Sequence, residues 1–440
     1  MRFKALTLGI AVAAGCATFG ARAQSFADVL TQGRVDGEIR LYNFNRIYSS
    51  PAKPDASAFS GALLLNAQTA TFGGGFSLGA SLLTANAFGT QSDQISKIDT
   101  TLMGPNNSLT ALGQAYVQYK SDQVLFKIGD QYLNTPWMGG SDSRVLPASY
   151  QALSAALTPI AGWKIFAIRS YGWKSRTSGD YHFDNLYYPA AYKGDQMYGG
   201  IGGLPLTARS ARGTWALGTS YHTGGFKAQA WYYDFFGFAQ MGYVDGSFTF
   251  KTDSGIDPYV GAQYMGETAG SSNSILVENG VKLFKVRGNK VKSQAFGAAA
   301  GIKIPHGQLD VSYDNIPTQA GAIGDGAVIS PYTAAYATDP LYTTSMIRGL
   351  VEQGPGHAWK AKFLYGLLNG QLLLHVAYAK YTTALSGNSH DVYFDVTYKL
   401  DGWMEGLSIR DRLEWSTGGI GLNPGNASFI YNRLMIDYRF

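Results

Sequence analysis

The sequence is poor in cysteine and in charge. Its 440 residues include one cysteine, Cys16, and only 15% of them are charged. Cys16 falls within an export signal, so we expect no disulfide and no thiolate metal site in the exported chain. The same signal holds three of the 35 basic residues and none of the 30 acidic ones, which leaves a net charge near +2. That balance excludes the strongly basic surface of a nucleic-acid-binding protein.

Long hydrophobic runs are also missing. No run of about 20 apolar residues follows the N-terminal region, which excludes a helical protein with several membrane spans. The six histidines are scattered, and the motifs of zinc hydrolases, serine hydrolases and nucleotide-binding enzymes are absent from the sequence. We therefore predict no enzymatic activity, no cofactor and no bound metal.

The N-terminus has the pattern of an export signal. A basic start precedes an apolar run at residues 5–14, which is too short to span a bilayer, and Ala21-Arg22-Ala23 offers a small-residue cleavage site. We predict a signal peptide at residues 1–23 and a single mature domain at residues 24–440. Ala14-Gly15-Cys16 also resembles a lipoprotein cleavage box, so lipidation of Cys16 is an alternative.

The chain is rich in glycine (55 residues) and in aromatic residues (14%), a composition typical of many-stranded proteins with aromatic girdles. Its dominant pattern has a period of two, which predicts strands with one apolar and one polar face. In the clearest example, Val392, Phe394, Val396, Tyr398 and Leu400 alternate with Asp391, Tyr393, Asp395, Thr397 and Lys399. Similar alternation occupies residues 35–42, 114–120, 124–128, 226–233 and 308–314.

These strands predict an all-β fold, a transmembrane antiparallel β-barrel around a water-filled lumen. Many are near ten residues long, which suits a strand that crosses a bilayer at a tilt. About 417 mature residues, at roughly 23 per strand with its connection, give about 18 strands, or 16 if the loops are longer. A large soluble β-protein such as a propeller is the alternative, although no repeat of blade length is visible.

The last strand supports this fold. Residues 428–440 alternate to the end and finish on an aromatic residue, Phe440. A terminal aromatic strand resembles the signal read by the barrel-assembly machinery, which we predict as a partner together with outer-membrane lipids.

Two kinds of connection are expected between the strands. Short turns are predicted at Gly73-Gly74-Gly75 and Thr223-Gly224-Gly225. Long extracellular loops are predicted at residues 86–110, 132–150, 175–212, 252–275 and 315–357. Because long loops in an ordered domain usually have a function, the loop near residues 132–151 is expected to fold inward and narrow the lumen. Asp142, Arg144 and Tyr150 are its predicted solute-facing residues.

The polar face of the last strands is basic. Alternation places Lys399, Arg410, Arg412 and Arg433 on the lumen side of three sequential strands, and we call this set the basic ladder. Guanidinium groups remain charged and bind carboxylates through forked donors, and a narrow lumen focuses their field on anions. The alternative is that Glu414, Asp437, Asp395 and water neutralise these charges. Strict alternation would turn Asp411 toward lipid, which leaves the local register open.

The sequence resembles the OprD-like outer-membrane porins, which are substrate-specific channels of Gram-negative bacteria. The resemblance spans the mature chain and includes the Arg-rich strands near the C-terminus. Its other segments are GEIRLYNFNR at residues 37–46, GDQYLNTP at 129–136, DSRVLPASYQ at 142–151 and TDPLYTTSM at 338–346.

The resemblance implies a monomeric 18-stranded barrel with a constriction at the inward third loop and a basic ladder opposite an acidic patch. It makes Asp339 and Tyr342 candidates for the opposite side. The expected function is passive, selective diffusion of small carboxylate-bearing solutes such as organic acids and amino acids. A general, size-limited porin is the main alternative; a barrel enzyme and an adhesive or structural barrel are others.

Overall fold

A computed structural model describes residues 26–140, 143–181, 209, 213–270, 274–283, 285–329, 331–332, 339–419 and 428–440. The predicted signal peptide, with Cys16, therefore lies outside the described residues. Strands account for most of the described chain, and the helices α1 (Phe26–Thr31), α2 (Ile275–Glu278) and α3 (Leu350–Gln353) are short. No helix in the described ranges is long and apolar enough to cross a membrane.

Twenty strands follow one another along the described chain. They are β1 (Arg34–Tyr48), β2 (Ala56–Gln68), β3 (Phe76–Asn86), β4 (Ser108–Lys120), β5 (Val124–Gln131), β6 (Ser149–Ile160), β7 (Trp163–Lys174), β8 (Thr214–Thr223), β9 (Phe226–Phe235), β10 (Ala239–Thr249), β11 (Asp257–Thr268), β12 (Lys282–Leu283), β13 (Val286–Arg287), β14 (Lys292–Ile304), β15 (Gly307–Ile316), β16 (Gly356–Leu367), β17 (Leu372–Thr383), β18 (Gly387–Lys399), β19 (Leu407–Gly418) and β20 (Phe429–Arg439). The strands β12 and β13 form a separate small pair.

The other 18 strands form one closed antiparallel barrel. Each pairs with the next along the chain, and β20 pairs with β1. The prediction of about 18 strands is therefore confirmed. The C-terminus completes the closure, because the backbone N–H of Phe440 donates to the carbonyl of Gly37 at 3.0 Å, and the Phe440 carbonyl accepts from the Gly37 N–H at 2.9 Å. A Cβ at Gly37 would lie 2.4 Å from the Phe440 ring, so a larger residue there would have to displace that ring.

Alternation sets which face of each strand meets lipid. On β18, Phe394, Val396 and Tyr398 point outward and are 45%, 40% and 41% exposed, whereas Asp391 and Asp395 are buried inside the barrel. Exposed apolar side chains recur on the outer face of strand after strand around the barrel. A soluble protein rarely exposes so much contiguous apolar surface, so the outer face is a lipid-facing belt and the propeller alternative is wrong.

One end of the barrel carries short turns and the other long loops. The turn between β8 and β9 is Gly224-Gly225, and Gly224 has a φ of +50°, which glycine adopts readily. Three long connections on the opposite end are named here as L2 (residues 87–107), L3 (132–148) and L7 (317–355). The predicted loop at residues 252–275 is wrong, because half of that range forms the strand β11.

The interior contains a packed core as well as polar side chains. Trp137 and Met138 of L3 and Ile329 and Tyr332 of L7 are fully buried, and they pack with Tyr233 and other inward residues of the wall. L3 and L7 therefore fold into the barrel and fill much of its loop end. A constriction loop was expected, but an apolar core inside the lumen was not.

Candidate functional site

The inward face of β18, β19, β20 and β1 brings the predicted basic residues together. In the strand register, Asp395 lies opposite Arg412, Arg412 opposite Arg433, and Arg433 opposite Phe44. Arg410 lies one inward position from Arg412 toward the short-turn end, and Lys399 is exposed at that end of β18. All four residues of the basic ladder thus occupy the wall where alternation predicted them.

Two residues of the basic ladder, Arg410 and Arg412, share one carboxylate, that of Asp395. The Arg410 Nε donates to Asp395 Oδ1 at 2.8 Å, and an Arg410 terminal nitrogen contacts Asp395 Oδ2. Arg412 Nε lies 3.6 Å from Asp395 Oδ2 and donates to the Tyr393 hydroxyl at 2.9 Å. The alternative that lumen charges are satisfied locally therefore holds for Arg410 and, in part, for Arg412.

Arg433 is different, because no carboxylate among the described residues forms a direct ion pair with it. The side chain is 0% exposed, and none of its three guanidinium nitrogens has a hydrogen-bond acceptor in the described part of the chain. Its Cζ lies 4.9 Å from the ring centre of Phe44 and 4.4 Å from that of Tyr431. Cation–π contacts of this kind offset only part of the cost of burying a charge.

A second buried arginine comes from L3. Arg144 is 4% exposed, and its Cζ lies 5.8 Å from the ring centre of Phe44, so two guanidinium groups share this ring. Arg144 donates to the carbonyl and hydroxyl of Ser143, and among the described residues no carboxylate forms an ion pair with it. Burial and the neighbouring Arg433 hold the pKa of Arg144 below its usual range. We call Arg144, Arg433 and Phe44 the arginine–phenylalanine site.

Arg40 on β1 holds L3 against this wall. Its guanidinium donates to the carbonyls of Arg144 at 3.0 Å and Val145 at 3.4 Å, and to Glu38 at 2.9 Å. The sequence showed Arg40 on a polar strand face, but its role in positioning the loop depends on contacts more than 100 residues apart. Arg40 is therefore a positioning residue that sequence reasoning missed.

L2 contributes an acidic group beside the site. Asp99 is buried, and its Oδ1 accepts bonds from the backbone N–H and hydroxyl of Thr101 at 3.1 and 2.7 Å. Burial raises the pKa of Asp99, but the charges of Arg46 and Arg433 and hydrogen bonds from Tyr431 and Thr101 bring it below its usual value. Asp99 is therefore anionic and compensates part of the charge of this wall.

The wall opposite carries acidic and tyrosine side chains. The strand β10 stands nine strands from β1, which is half of the barrel. On its inward face, Asp245 accepts a bond from Gln229 at 2.6 Å. Asp310 on β15 is nearer to the basic wall, three strands from β18, and lies 3.2 Å from Lys362. Tyr342 of L7 is half-buried, and its hydroxyl lies over Gly261 of this wall. Tyr342 thus lies beside β11, and its part in solute recognition stays a prediction.

Other predicted residues have structural positions. Tyr150 lies in β6 and not in the loop; it is fully buried, and its hydroxyl donates to the carbonyl of Gly139 at 3.1 Å, so the prediction that it faces solute is corrected. Asp339 accepts bonds from the Thr344 hydroxyl at 2.7 Å and the Leu341 N–H at 3.0 Å, which stabilises a turn of L7. Asp142 lies outside the described residues.

Two carboxylates of the wall anchor L7. Asp314 accepts the backbone N–H of Thr343, and Glu414 accepts that of Met346, each at 2.6 Å. Glu414 is therefore engaged by the loop, and it does not form an ion pair with the basic ladder among the described residues. Its predicted part in neutralising that ladder is not seen.

The register also settles the position of Asp411. It points outward, as strict alternation required, and its Oδ1 accepts a bond from Asn432 at 2.7 Å on the lipid-facing side. The neighbouring outward residues on β19 are Ile409 and Leu413, and Trp415 marks the aromatic girdle beyond them. A carboxylate therefore lies within the apolar belt.

Solved structures with this fold are known, although their sequences are distant. Pseudomonas aeruginosa OccK9 (OpdG) is 16% identical, with a TM-score of 0.74 over 94% of this chain and 99% of that chain. Acinetobacter baumannii OccAB2 is 16% identical, with a TM-score of 0.72 over the same shares. Pseudomonas aeruginosa OpdK, in a structure with vanillate, is 13% identical, with a TM-score of 0.72 over 94% and 99%.

No protein-family model matches the chain, and no curated protein matches its sequence. The structural likenesses nevertheless show that this chain has the 18-stranded fold of the OprD-like porins, and the predicted fold is confirmed. Its closed barrel and apolar belt are those of a β-barrel that crosses a membrane.

Proposed function

We propose that the protein is an outer-membrane porin for passive, selective diffusion of small carboxylate-bearing solutes. The observation that carries the proposal is the arginine–phenylalanine site. Arg433 and Arg144 are buried on one ring, and no carboxylate among the described residues forms a direct ion pair with either of them. Buried charges are normally paired, because an uncompensated charge in a medium of low dielectric is costly. A solute anion would supply the missing partner.

The chemistry of the site favours a carboxylate. Guanidinium groups bind planar carboxylates through two parallel hydrogen bonds. Asp99 nearby limits the total positive charge, which favours weak binding over trapping and so permits release. One structure with the same fold was solved with vanillate, an aromatic carboxylate, and this supports the same solute class.

Selective diffusion is favoured over a general porin by the packed interior. L3 and L7 fill the loop end of the barrel with buried side chains such as Trp137 and Tyr332, so solutes have to pass close to the wall. A wide, size-limited channel would not place an apolar core there. Enzymatic function has no support from the site, and the described residues include no group of three or more metal-ligating side chains.

The test is uptake by proteoliposomes that contain the purified mature protein. Gluconate and glucose share a carbon skeleton and size but differ in the carboxylate, so their initial uptake rates isolate charge recognition. The proposal predicts faster entry of gluconate, with empty liposomes as the control. Equal rates would establish a general, size-limited porin, and no uptake of either solute would contradict a channel.

A further inference from the structure

The outer face of β15 to β18 carries basic side chains at the loop end of the belt. Lys380 and His357 are exposed and His390 is half-buried, and all three point away from the lumen by alternation. In the register, Lys380 lies between Trp359 on β16 and His390 on β18, and His357 lies opposite Thr382. Three basic groups on three neighbouring strands thus form one surface, which we call the outer basic patch.

Aromatic rings fix the height of this patch. His357 stacks on Tyr313 with ring centres 6.2 Å apart, and His390 stacks on Tyr378 at 6.0 Å. Trp359 and Tyr378 also contact each other, with ring centres 5.2 Å apart. Outward aromatic residues of a barrel mark the border between hydrocarbon and headgroups. The outer basic patch therefore lies at headgroup level.

The charge of the patch is not balanced locally. No acidic residue occupies an outward position on β15, β16, β17 or β18, and Lys380 has no ion pair within the described chain. The polar residues that complete the surface are Asn315, Thr382 and Asn388, each of which can donate a hydrogen bond. The three basic groups and these three polar side chains can therefore donate hydrogen bonds to an anionic group with several acceptor oxygens.

We propose that the outer basic patch binds the phosphate of an anionic lipid in the outer leaflet. The inference rests on the proposed location in an outer membrane but not on solute passage. A lysine ammonium is a compact phosphate-binding charge, and the two imidazoles and the amides supply further donors around it. The aliphatic residues below, Val376 and Val392, would contact the acyl chains of the same lipid. The patch is therefore matched to both parts of one lipid molecule.

The experiment is native mass spectrometry of the detergent-solubilised mature protein titrated with purified lipid A. Phosphatidylcholine serves as the lipid without net charge, and inorganic phosphate as a soluble competitor. We expect the protein to retain lipid A in preference to phosphatidylcholine. Since one basic residue near an anionic lipid surface contributes about fivefold in affinity, Lys380→Gln should weaken lipid A binding by about that factor. Adding His357→Gln and His390→Gln should weaken it further.

Two further variants keep the test decisive. Lys380→Arg keeps the charge and should restore binding, whereas Lys97→Gln removes an exposed lysine of L2 on the same end and should have no effect. Folding is checked for each variant by the heat-dependent shift of the barrel on a gel. Equal affinity for lipid A in the wild type and Lys380→Gln would overturn the proposal. So would equal retention of the two lipids, or displacement of lipid A by millimolar phosphate alone. None of these readouts depends on solute uptake.

Discussion

Replacing Arg433 with methionine is the most informative change at the arginine–phenylalanine site. Methionine is unbranched and can fill the space beside Phe44 and Tyr431, so the change removes the charge while conserving most of the packing. An anion that passes within about 5 Å of the Arg433 guanidinium is attracted by its charge. The substitution should therefore lower the preference of the channel for anions.

The size of the effect follows from Coulomb's law. At about 5 Å, two unit charges interact by about 3 kcal/mol at an effective dielectric constant of 20, and by about 0.8 kcal/mol in bulk water. The lower figure corresponds to about fourfold in relative permeability, since about 1.4 kcal/mol is tenfold. We therefore expect the chloride-to-potassium permeability ratio of Arg433→Met to fall at least about fourfold.

Arg410→Met is the matched control for this measurement. It removes the same charge from the same wall, but Arg410 is paired with Asp395 and lies two strands from Phe44. That separation is about 10 Å or more, which is at or beyond the screening length in 0.15 M salt. Single channels in a planar bilayer under a salt gradient give both ratios. Equal shifts in the two variants, or none in Arg433→Met, would refute the special role of Arg433.

Three further changes test other parts of the structure. Asp411→Leu removes a carboxylate from the apolar belt, so it should raise the free energy of unfolding in lipid vesicles, measured by urea titration, by at most about 2 kcal/mol. A loss of stability would show that the bond between Asp411 and Asn432 outweighs the cost of a carboxylate in the apolar belt. Arg40→Met should release L3 and increase conductance noise, since it deletes charged hydrogen bonds worth about 1.5–3 kcal/mol each; unchanged recordings would contradict its positioning role. Burial raises the pKa of Asp339 to about 6 from an ordinary value of 3.8, so the anchored turn of L7 should lose stability as the pH rises from about 4 through about 6. The protection factor of the Thr344 amide, which corrects for the intrinsic pH dependence of hydrogen exchange, should fall across this window in the wild type and stay flat in Asp339→Asn; identical profiles would contradict it.

The barrel could be predicted from the sequence because alternation is a local signal. Each of Val392, Phe394 and Val396 is assigned to the lipid face by its neighbours along one strand, and β1, β9, β15 and β20 follow the same rule. The strand β11 was missed for the opposite reason. Pro258, Gly261 and Gly266 give it the composition of a loop, and its pairing with β10 and β14 overrides that weak propensity.

The ionic state of the basic wall could not be predicted in the same way. Alternation placed Arg410, Arg412 and Arg433 on one face. The cross-strand register then brings Asp395 within ion-pair distance of Arg410 and Arg412 but not of Arg433, and alternation along one strand does not predict this. The contribution of Arg144 to the same ring depends on how L3 folds into the barrel. Contacts between positions 104 or more residues apart, such as that of Arg40 with L3, leave no periodic trace in the sequence.

The central claim is that buried arginines without a direct ion pair make this barrel a pathway for small carboxylates. It is tested most directly by the reversal potential of the purified wild-type protein in a planar bilayer under a gradient of sodium benzoate. The account predicts a voltage whose sign shows that benzoate crosses faster than sodium. A voltage of the opposite sign, or a barrel that inserts but conducts no benzoate, would contradict it.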